Sequence, residues 1–366
     1  MMKTAIFGSL LLATATAVVP LAAADLEASS FELRPGVVVD RDGGRIYSMK
    51  PGGGLKAIDG RTGRVIFESA LADKPVALWN GQLAAQRESK ANPGVLEMVL
   101  IDTRRPEQTT EISVRLPEDQ VALVDDSLGR KFTTTSVVRD GDLVVGWSSS
   151  RQWMGALPPD AEQPVLEETR GAARLDLTAG RAIEIDPSTL VGDLSPLPAA
   201  AQAFAAEPNA FGKPLRVGGA LIASTRTVKS GDEPTRIVLK RWNGDGTSLP
   251  DVELFRGEPI VQWPSADRKH LIVSQRVAPG SPDEYLWNVY SLATGARVGE
   301  VRNHFSKADF YVEGSRLVHE VWPYSQRVNG KMEKVDRAVQ AVDLSSGTVL
   351  WSHPLRETAY RGPFPP

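Results

Sequence analysis

The sequence predicts an all-β protein, a single β-propeller of four-stranded blades behind a cleaved signal peptide. Three observations predict it: one motif occurs near both ends of the chain, a turn-then-strand signal recurs between them, and no long helical pattern interrupts the series. The first copy of the motif is Gly54-Leu55-Lys56-Ala57-Ile58-Asp59-Gly60-Arg61-Thr62-Gly63-Arg64-Val65-Ile66-Phe67. The last is Ala338-Val339-Gln340-Ala341-Val342-Asp343-Leu344-Ser345-Ser346-Gly347-Thr348-Val349-Leu350-Trp351. Each reads as a strand ending in Asp, a tight turn closed by Gly, and a strand ending in an aromatic. Self-similarity on this scale is the signature of a repeat architecture.

Each unit opens with a turn that precedes an apolar strand. The turns are Asp42-Gly43-Gly44, Asn80-Gly81, Asp140-Gly141, Gly218-Gly219, Asp267-Arg268 and Glu313-Gly314. Gly and Asx supply the positive φ that short hairpin turns need. The strands that follow, such as Asp142-Leu143-Val144-Val145 and Lys269-His270-Leu271-Ile272-Val273, are aliphatic and β-branched. A second hairpin closes each unit, at Thr62-Gly63, Arg105-Pro106-Glu107, Ala179-Gly180, Asp245-Gly246, Thr294-Gly295 and Ser346-Gly347. In the strand before it, alternation is visible, as in Trp287-Asn288-Val289-Tyr290. Each unit therefore holds four short strands, and six units are counted. A seventh is possible across Pro117–Arg130, where Val121-Ala122-Leu123-Val124 is strand-like.

A bare blade needs ~40–45 residues, so the chain has length to spare. The surplus falls in two segments without strand periodicity, near 148–170 and 187–214. The second contains Ala199-Ala200-Ala201-Gln202-Ala203-Phe204-Ala205-Ala206, enough for one or two helical turns. A stacked solenoid has shorter coils and lacks two hairpins per coil. A propeller also leaves only short, protected sheet edges. Its ring must close by contact between first and last blades, through Phe31-Glu32-Leu33-Arg34 or the chain after Trp351.

Residues 1–24 read as a secretory signal: Lys3, an apolar run to Val19, and an exit at Leu21-Ala22-Ala23-Ala24. The run is too short for a membrane span, which takes ~20 residues. The propeller domain is then 25–366, and no later segment is long and apolar enough to span a bilayer. With no cysteine, the chain carries no lipoprotein anchor, disulfide, thiolate metal site or cysteine nucleophile. The sequence places it in the periplasm or outside the cell. The 42 basic and 45 acidic residues leave a net charge of −3, no electrostatic footprint for nucleic acid or anionic lipid.

The pattern Gly-x-Leu-x-Ala-x-Asp-x-x-Thr-Gly-x-Val-x-aromatic, at Gly53–Phe67 and again at Ala341–Trp351, resembles the repeat of quinoprotein-like (PQQ-type) propellers. Val289–Gly295 and Arg174–Gly180 match it in part. The resemblance implies a blade architecture in which Asp accepts backbone N–H groups at the hairpin mouth. The closing aromatic packs between blades, burying ~150–250 Å². Quinone-using members of that family commonly stack adjacent cysteines over the cofactor and hold a calcium ion beside a catalytic Asp. This chain has no cysteine, and no residue set here carries over onto those roles. The resemblance therefore implies the repeat without the quinone site, and no cofactor is expected.

Of the four histidines, His270, His304, His319 and His353, no two share a helical i, i+4 spacing. No H-E-x-x-H, G-x-S-x-G or P-loop pattern occurs. His319 falls in a strand, Leu317-Val318-His319-Glu320-Val321-Trp322, and reads either as a general base facing the axial channel or, the preferred reading, as a residue facing a neighbouring blade. Asp125-Asp126, Glu167-Glu168 and Asp283-Glu284 lack the spacing of a calcium loop and read as solvated loop charge. Catalytic residues stay unassigned, and no metal ligands are expected.

The remaining candidates are aromatic and cationic. Trp147, Arg151 and Trp153 lie where the third unit leaves its second strand, and Trp322, Tyr324 and Arg327 occupy the corresponding loop of the sixth. Trp, Tyr and Arg dominate binding hot spots, and Trp faces stack on sugars. The leading functional expectation is a non-enzymatic interaction platform for a protein or cell-envelope partner. The alternative is an enzyme or sugar-binding lectin with its site at the axial mouth.

Overall fold

The computed structural model describes residues 36–87, 95–115, 130–139, 141–152, 165–190, 197–207, 210–217, 221–278 and 284–356. The expected signal segment, Phe31–Arg34, the strand-like 121–124, Trp153 and residues 357–366 lie outside them.

The described chain is almost entirely antiparallel sheet, laid down as successive up-and-down meanders. The first sheet is β1 (Val37–Asp40), β2 (Arg45–Met49), β3 (Leu55–Asp59) and β4 (Val65–Ser69), paired in that order. An eight-stranded sheet follows. It joins β5 (Lys74–Trp79), β6 (Gln82–Arg87), β7 (Val95–Asp102) and β8 (Thr109–Arg115) to β9 (Arg130–Arg139), β10 (Asp142–Gln152), β11 (Val165–Asp176) and β12 (Arg181–Ile185). The two halves meet at their outer strands through one parallel pairing, Arg181 with Arg115. Two four-stranded sheets come next: β13 (Ala210–Val217), β14 (Leu221–Val228), β15 (Thr235–Asn243), β16 (Val252–Gly257), then β17 (Pro259–Pro264), β18 (His270–Arg276), β19 (Tyr285–Ser291), β20 (Arg297–Asn303). The last sheet is β21 (Phe310–Glu313), β22 (Arg316–Val321), β25 (Ala338–Asp343) and β26 (Val349–Pro354). Between β22 and β25 a separate two-stranded ribbon projects, β23 (Tyr324–Val328) and β24 (Lys331–Val335).

Every turn pair named from the sequence and described here sits between the strands it was expected to join. The second hairpins show why Asp and Gly recur. Asp59 Oδ1 accepts the N–H groups of Arg61 (3.0 Å) and Thr62 (2.7 Å), and Asp343 Oδ1 those of Ser345 (2.7 Å) and Ser346 (3.1 Å). Asp102 and Asp176 do the same in the next two meanders. The Thr62 N–H and hydroxyl hold the Asp59 carboxyl below the usual carboxylate range, and the Ser345 hydroxyl and N–H do so for Asp343. Gly63 closes the first turn at φ +73°, and a Cβ there would lie 2.5 Å from the Trp351 ring.

Consecutive meanders pack face to face on either side of the β9–β12 to β13–β16 junction, across which no hydrophobic cluster joins the described residues, and the last packs on the first. One cluster joins the first and second meanders (Tyr47 and Leu55 with Leu83 and Ile101), another the second and third (Leu96 and Met98 with Leu143 and Trp147). Leu239 and Phe255 meet Leu271 and Tyr290; Trp287 and Val289 meet Phe310 and Leu317. Ile46 and Ile58 of the first sheet then meet Val318, Ala341 and Trp351 of the last, joining the two ends of the described chain. Polar ties cross the same seam: Arg316 Nη1 to Gly60 O (3.0 Å), Lys56 Nζ to Pro354 O (3.1 Å) and a His353 Nε2–Gly63 O contact at 2.6 Å. Among the described residues the seam is made by the chain at and directly after Trp351, and Phe31–Arg34 lies outside them. First strands lie innermost, tied by Gly36 N to Pro75 O (3.2 Å) and Ala266 N to Phe310 O (3.1 Å). This is the arrangement of a β-propeller.

The two surplus segments resolve differently. Residues 148–152 and 165–170 are strand, extending the β10–β11 hairpin rather than leaving it. The run Ser148-Ser149-Ser150-Arg151 shows no alternation because pairing to β9 and β11 on both sides, not apolar patterning, fixes it. In the second segment, α1 (Ala199–Ala205) is the expected short helix. It buries Ala201 and Phe204 against Ile222 and Trp242, with the Phe204 and Trp242 rings 5.3 Å apart at 60°. That covers the face of the β13–β16 sheet turned away from β17–β20. Among the described residues no helix is long and apolar enough to cross a membrane.

Candidate functional site

The last two sheets do not meet fully at one end, and a cleft of about 280 Å³ lies between them. One wall is the face of the last sheet that looks toward β17–β20. On it His319, Gln340 and Ser352 form one cross-strand row, and Val321, Ala338 and Pro354 the next. The opposite wall is the end of β20 and the residue after it: Arg302, Asn303 and His304. The ribbon supplies Tyr324 and Val335, and Asp336 follows it at the rim.

Local geometry fixes each group. Trp287, fully buried, donates its Nε1–H to Phe305 O (2.7 Å), and Asn303 Oδ1 accepts from Phe305 N (3.1 Å). These two bonds pin the connection between β20 and β21 and set His304 flat on Tyr324, with ring centroids 4.3 Å apart at 29°. Phe305 stands edge-on to Tyr324 (5.7 Å, 83°) and tilts against Trp322 (5.9 Å). The ribbon carrying Tyr324 turns at Asn329-Gly330, with φ of 50° and 82°, the primed turn that a two-residue hairpin requires.

His319 forms the floor. It is 2% exposed and stands edge-on to Trp287, centroids 5.3 Å apart. Its Nδ1 lies 2.9 Å from Glu320 O, which can only accept, so Nδ1 carries the proton. Nε2 is then an acceptor lone pair, buried and without a hydrogen-bond partner. Burial lowers its pKa to about 4, against the smaller opposing effects of the Glu320 carbonyl and the Gln340 side chain, so the ring is neutral at pH 7. Burial raises the Tyr324 phenol, which stays protonated. Glu320, next along β22, faces the other way and pairs with Arg337.

Of the six residues singled out in the sequence, Trp153 lies outside the described residues and the other five are not brought together. Trp147 is a core residue, 5% exposed, lying over Gly171, where a Cβ would fall 2.0 Å from its ring. It offers no surface to a partner, because β10 runs on through Gln152 instead of ending in a loop. Arg151 is in that extended strand opposite Glu167 and Arg130. In the sixth unit Tyr324 lines the cleft, Trp322 backs it through Phe305, and Arg327 is exposed on the other face of the ribbon. The expected loop contains a hairpin whose Asn329-Gly330 signal is in the sequence. Arg302, His304, Gln340 and Ser352 were missed.

Nearer the axis a pocket of about 60 Å³ lies between β1 and β21, lined by Asp40, Arg41, Arg45, Tyr311 and Glu313. Its charges are used structurally: Arg41 bonds Asp267 at 2.7 Å and lies over the Tyr311 ring at 5.5 Å. Among the described residues no group of three or more His, Asp or Glu could hold a metal ion.

No protein-family model matches the sequence, and no curated protein matches it. Among solved structures, hydrazine synthase of Kuenenia stuttgartiensis aligns over 86% of this chain and 78% of its own, at 12% identity and a TM-score of 0.27. Dihydro-heme d1 dehydrogenase NirN in complex with DHE aligns over 90% and 68%, at 15% identity and 0.30. BamB from Moraxella catarrhalis aligns over 78% and 81%, at 13% identity and 0.29. At these values the alignments carry no argument about function, and the propeller arrangement rests on the strand order and sheet packing described above.

Proposed function

We propose that this chain is a six-bladed, extracytoplasmic propeller of the quinoprotein-like type without the quinone site. It works as a non-enzymatic binding platform for a protein or cell-envelope component, and the cleft between the last two sheets is its recognition site. The observation that carries this reading is the buried Nε2 of His319, an acceptor that makes no hydrogen bond, in a cleft that the stacked His304–Tyr324 pair also lines. A buried acceptor without a donor costs ~1–3 kcal/mol, and a ligand hydroxyl or N–H removes that cost. The Nδ1 side favours binding over chemistry: a backbone carbonyl, not a carboxylate, orients the ring, so an imidazolium formed there would have no counter-charge. The secretory pattern of residues 1–24 supports the extracytoplasmic placement.

The test is sedimentation of the mature protein with isolated envelope fractions, comparing wild type with Tyr324→Ala and Trp322→Ala. Retention of wild type and its loss in Tyr324→Ala, with unchanged circular dichroism, is the expected result. Equal retention of all three folded proteins overturns the placement of the site.

A further inference from the structure

We propose that the cleft takes a single uncharged pyranose ring, one sugar unit of an envelope glycan. The inference rests on the binding reading above and specifies its ligand.

Size sets the first limit. Ligand pockets run ~300–1,000 Å³, and this one, at about 280 Å³, admits one ring and its substituents rather than a length of peptide. The floor sets the second. His319 Nε2 only accepts, so a carboxylate or phosphate ester would bring lone pairs against a lone pair. A hydroxyl donates to it and can still accept. Gln340 and Ser352 lie on the next two strands of the same row, at the ~4.7–4.9 Å strand spacing. That interval is of the order of the separation between alternate hydroxyls around a six-membered ring. An amide offers both donors and acceptors and a hydroxyl both roles, as a polyol requires.

The wall sets the third limit. The His304–Tyr324 stack lines the cleft with a rigid aromatic wall against which the C–H groups of a pyranose can pack. At the rim Asp336 is ion-paired with Lys334 (3.3 Å), and Arg302 stands on the opposite wall. A tyrosine or tryptophan side chain from a protein partner could also donate to Nε2. It would leave the Gln340 amide and the Ser352 hydroxyl without partners, and such mismatches are heavily penalised.

The experiment is titration of the mature protein by saturation-transfer NMR and calorimetry. The probes are the methyl glycosides of glucose, galactose, mannose and N-acetylglucosamine, with N-acetyltyrosinamide as the peptide probe. At least one glycoside should bind, weakened tenfold or more by Tyr324→Ala and abolished by His319→Phe. Ser352→Val, an exposed position, keeps the test open should His319→Phe not fold, and should weaken binding several-fold. The proposal fails if no glycoside binds, or if one binds and ignores the variants. Binding of N-acetyltyrosinamide alone, with envelope retention still dependent on Tyr324, overturns the sugar but keeps the site. Envelope retention independent of Tyr324 removes the site itself.

Discussion

Trp351→Ala should open the ring at its seam. Trp351 is 9% exposed and packs with Ile46, Ile58 and Ala341 where the last sheet meets the first. Its ring lies against the backbone of Gly63, a position with no room for a Cβ. Truncating a buried aromatic to alanine costs ~3–5 kcal/mol. Trp351 Nε1 is buried without a hydrogen-bond partner, so truncation also removes an unsatisfied donor, and the lower end of that range applies. The expected loss is about 3 kcal/mol, or a fall in Tm of about 6 °C at roughly 2 °C per kcal/mol. Trp351→Phe keeps most of the contact and drops the orphan N–H, so it should fall within about 1 kcal/mol of wild type. Val349 and Leu350 on the same strand are 54% and 46% exposed and serve as controls. Their alanine variants should change stability by about 0.5 kcal/mol or less. The assay is thermal unfolding of the mature protein by circular dichroism. If Trp351→Ala melts with the controls, the seam does not hold the ring and the packing argument is wrong.

His319 ties stability to pH. Its pKa is about 4 in the fold against 6.5 in the unfolded chain, so its contribution is complete above pH 6.5 and is lost as pH falls toward about 4. By pH 4.5 the loss from this group is about 2 to 3 kcal/mol. Urea midpoints at pH 7 and 4.5 should therefore differ more for wild type than for His319→Gln; equal differences refute the assignment. His270, also lowered by burial, titrates in the same direction in both proteins and cancels in that comparison. On the opposite face of the same strand, Arg337→Met would strand the Glu320 carboxylate, whose side chain is 10% exposed and whose pKa burial already raises. The expected cost is about 3 kcal/mol at pH 7. It should shrink in acid as Glu320 takes a proton, and in the double variant Glu320→Gln/Arg337→Met. A cost that is flat with pH sinks that reading.

Much of the fold was legible because its punctuation is local. A two-residue turn needs positive φ, and a hairpin-mouth Asp needs donors two and three residues ahead; both demands are met within one short window. So Asn80-Gly81, Thr62-Gly63 and Ser346-Gly347 mark strand ends without reference to anything distant. Where a strand is held by its neighbours instead, the signal fades. Ser148–Gln152 lacks any apolar face, and only its pairing to β9 and β11 makes it strand. Trp147 was misplaced for that reason: read as the last residue before a loop, it looks like a surface anchor, but read mid-strand over Gly171 it is core.

The candidate site was legible only in fragments, and the reason is topological. Sequence alone marked Tyr324 through its residue type, and placed His319 on a strand facing the neighbouring sheet, where Trp287 meets it. Neither position announces a cleft. The cleft exists because the connection after β20 is pinned by Trp287 to Phe305 while the ribbon leaves β22 over the same gap, two events from different sheets. Gln340 lies in the repeated motif itself, Ala338-Val339-Gln340-Ala341, where it reads as an ordinary strand residue. The first copy has Lys56 two residues before Ile58, as Gln340 stands before Val342, and that lysine is spent on Pro354 O across the seam. The same slot thus holds the ring closed in one blade and floors a cleft in another. A repeat architecture lets function differ between copies in this way: the turn chemistry that makes every blade leaves its inter-blade positions free to change, and the neighbouring sheet decides what each change does.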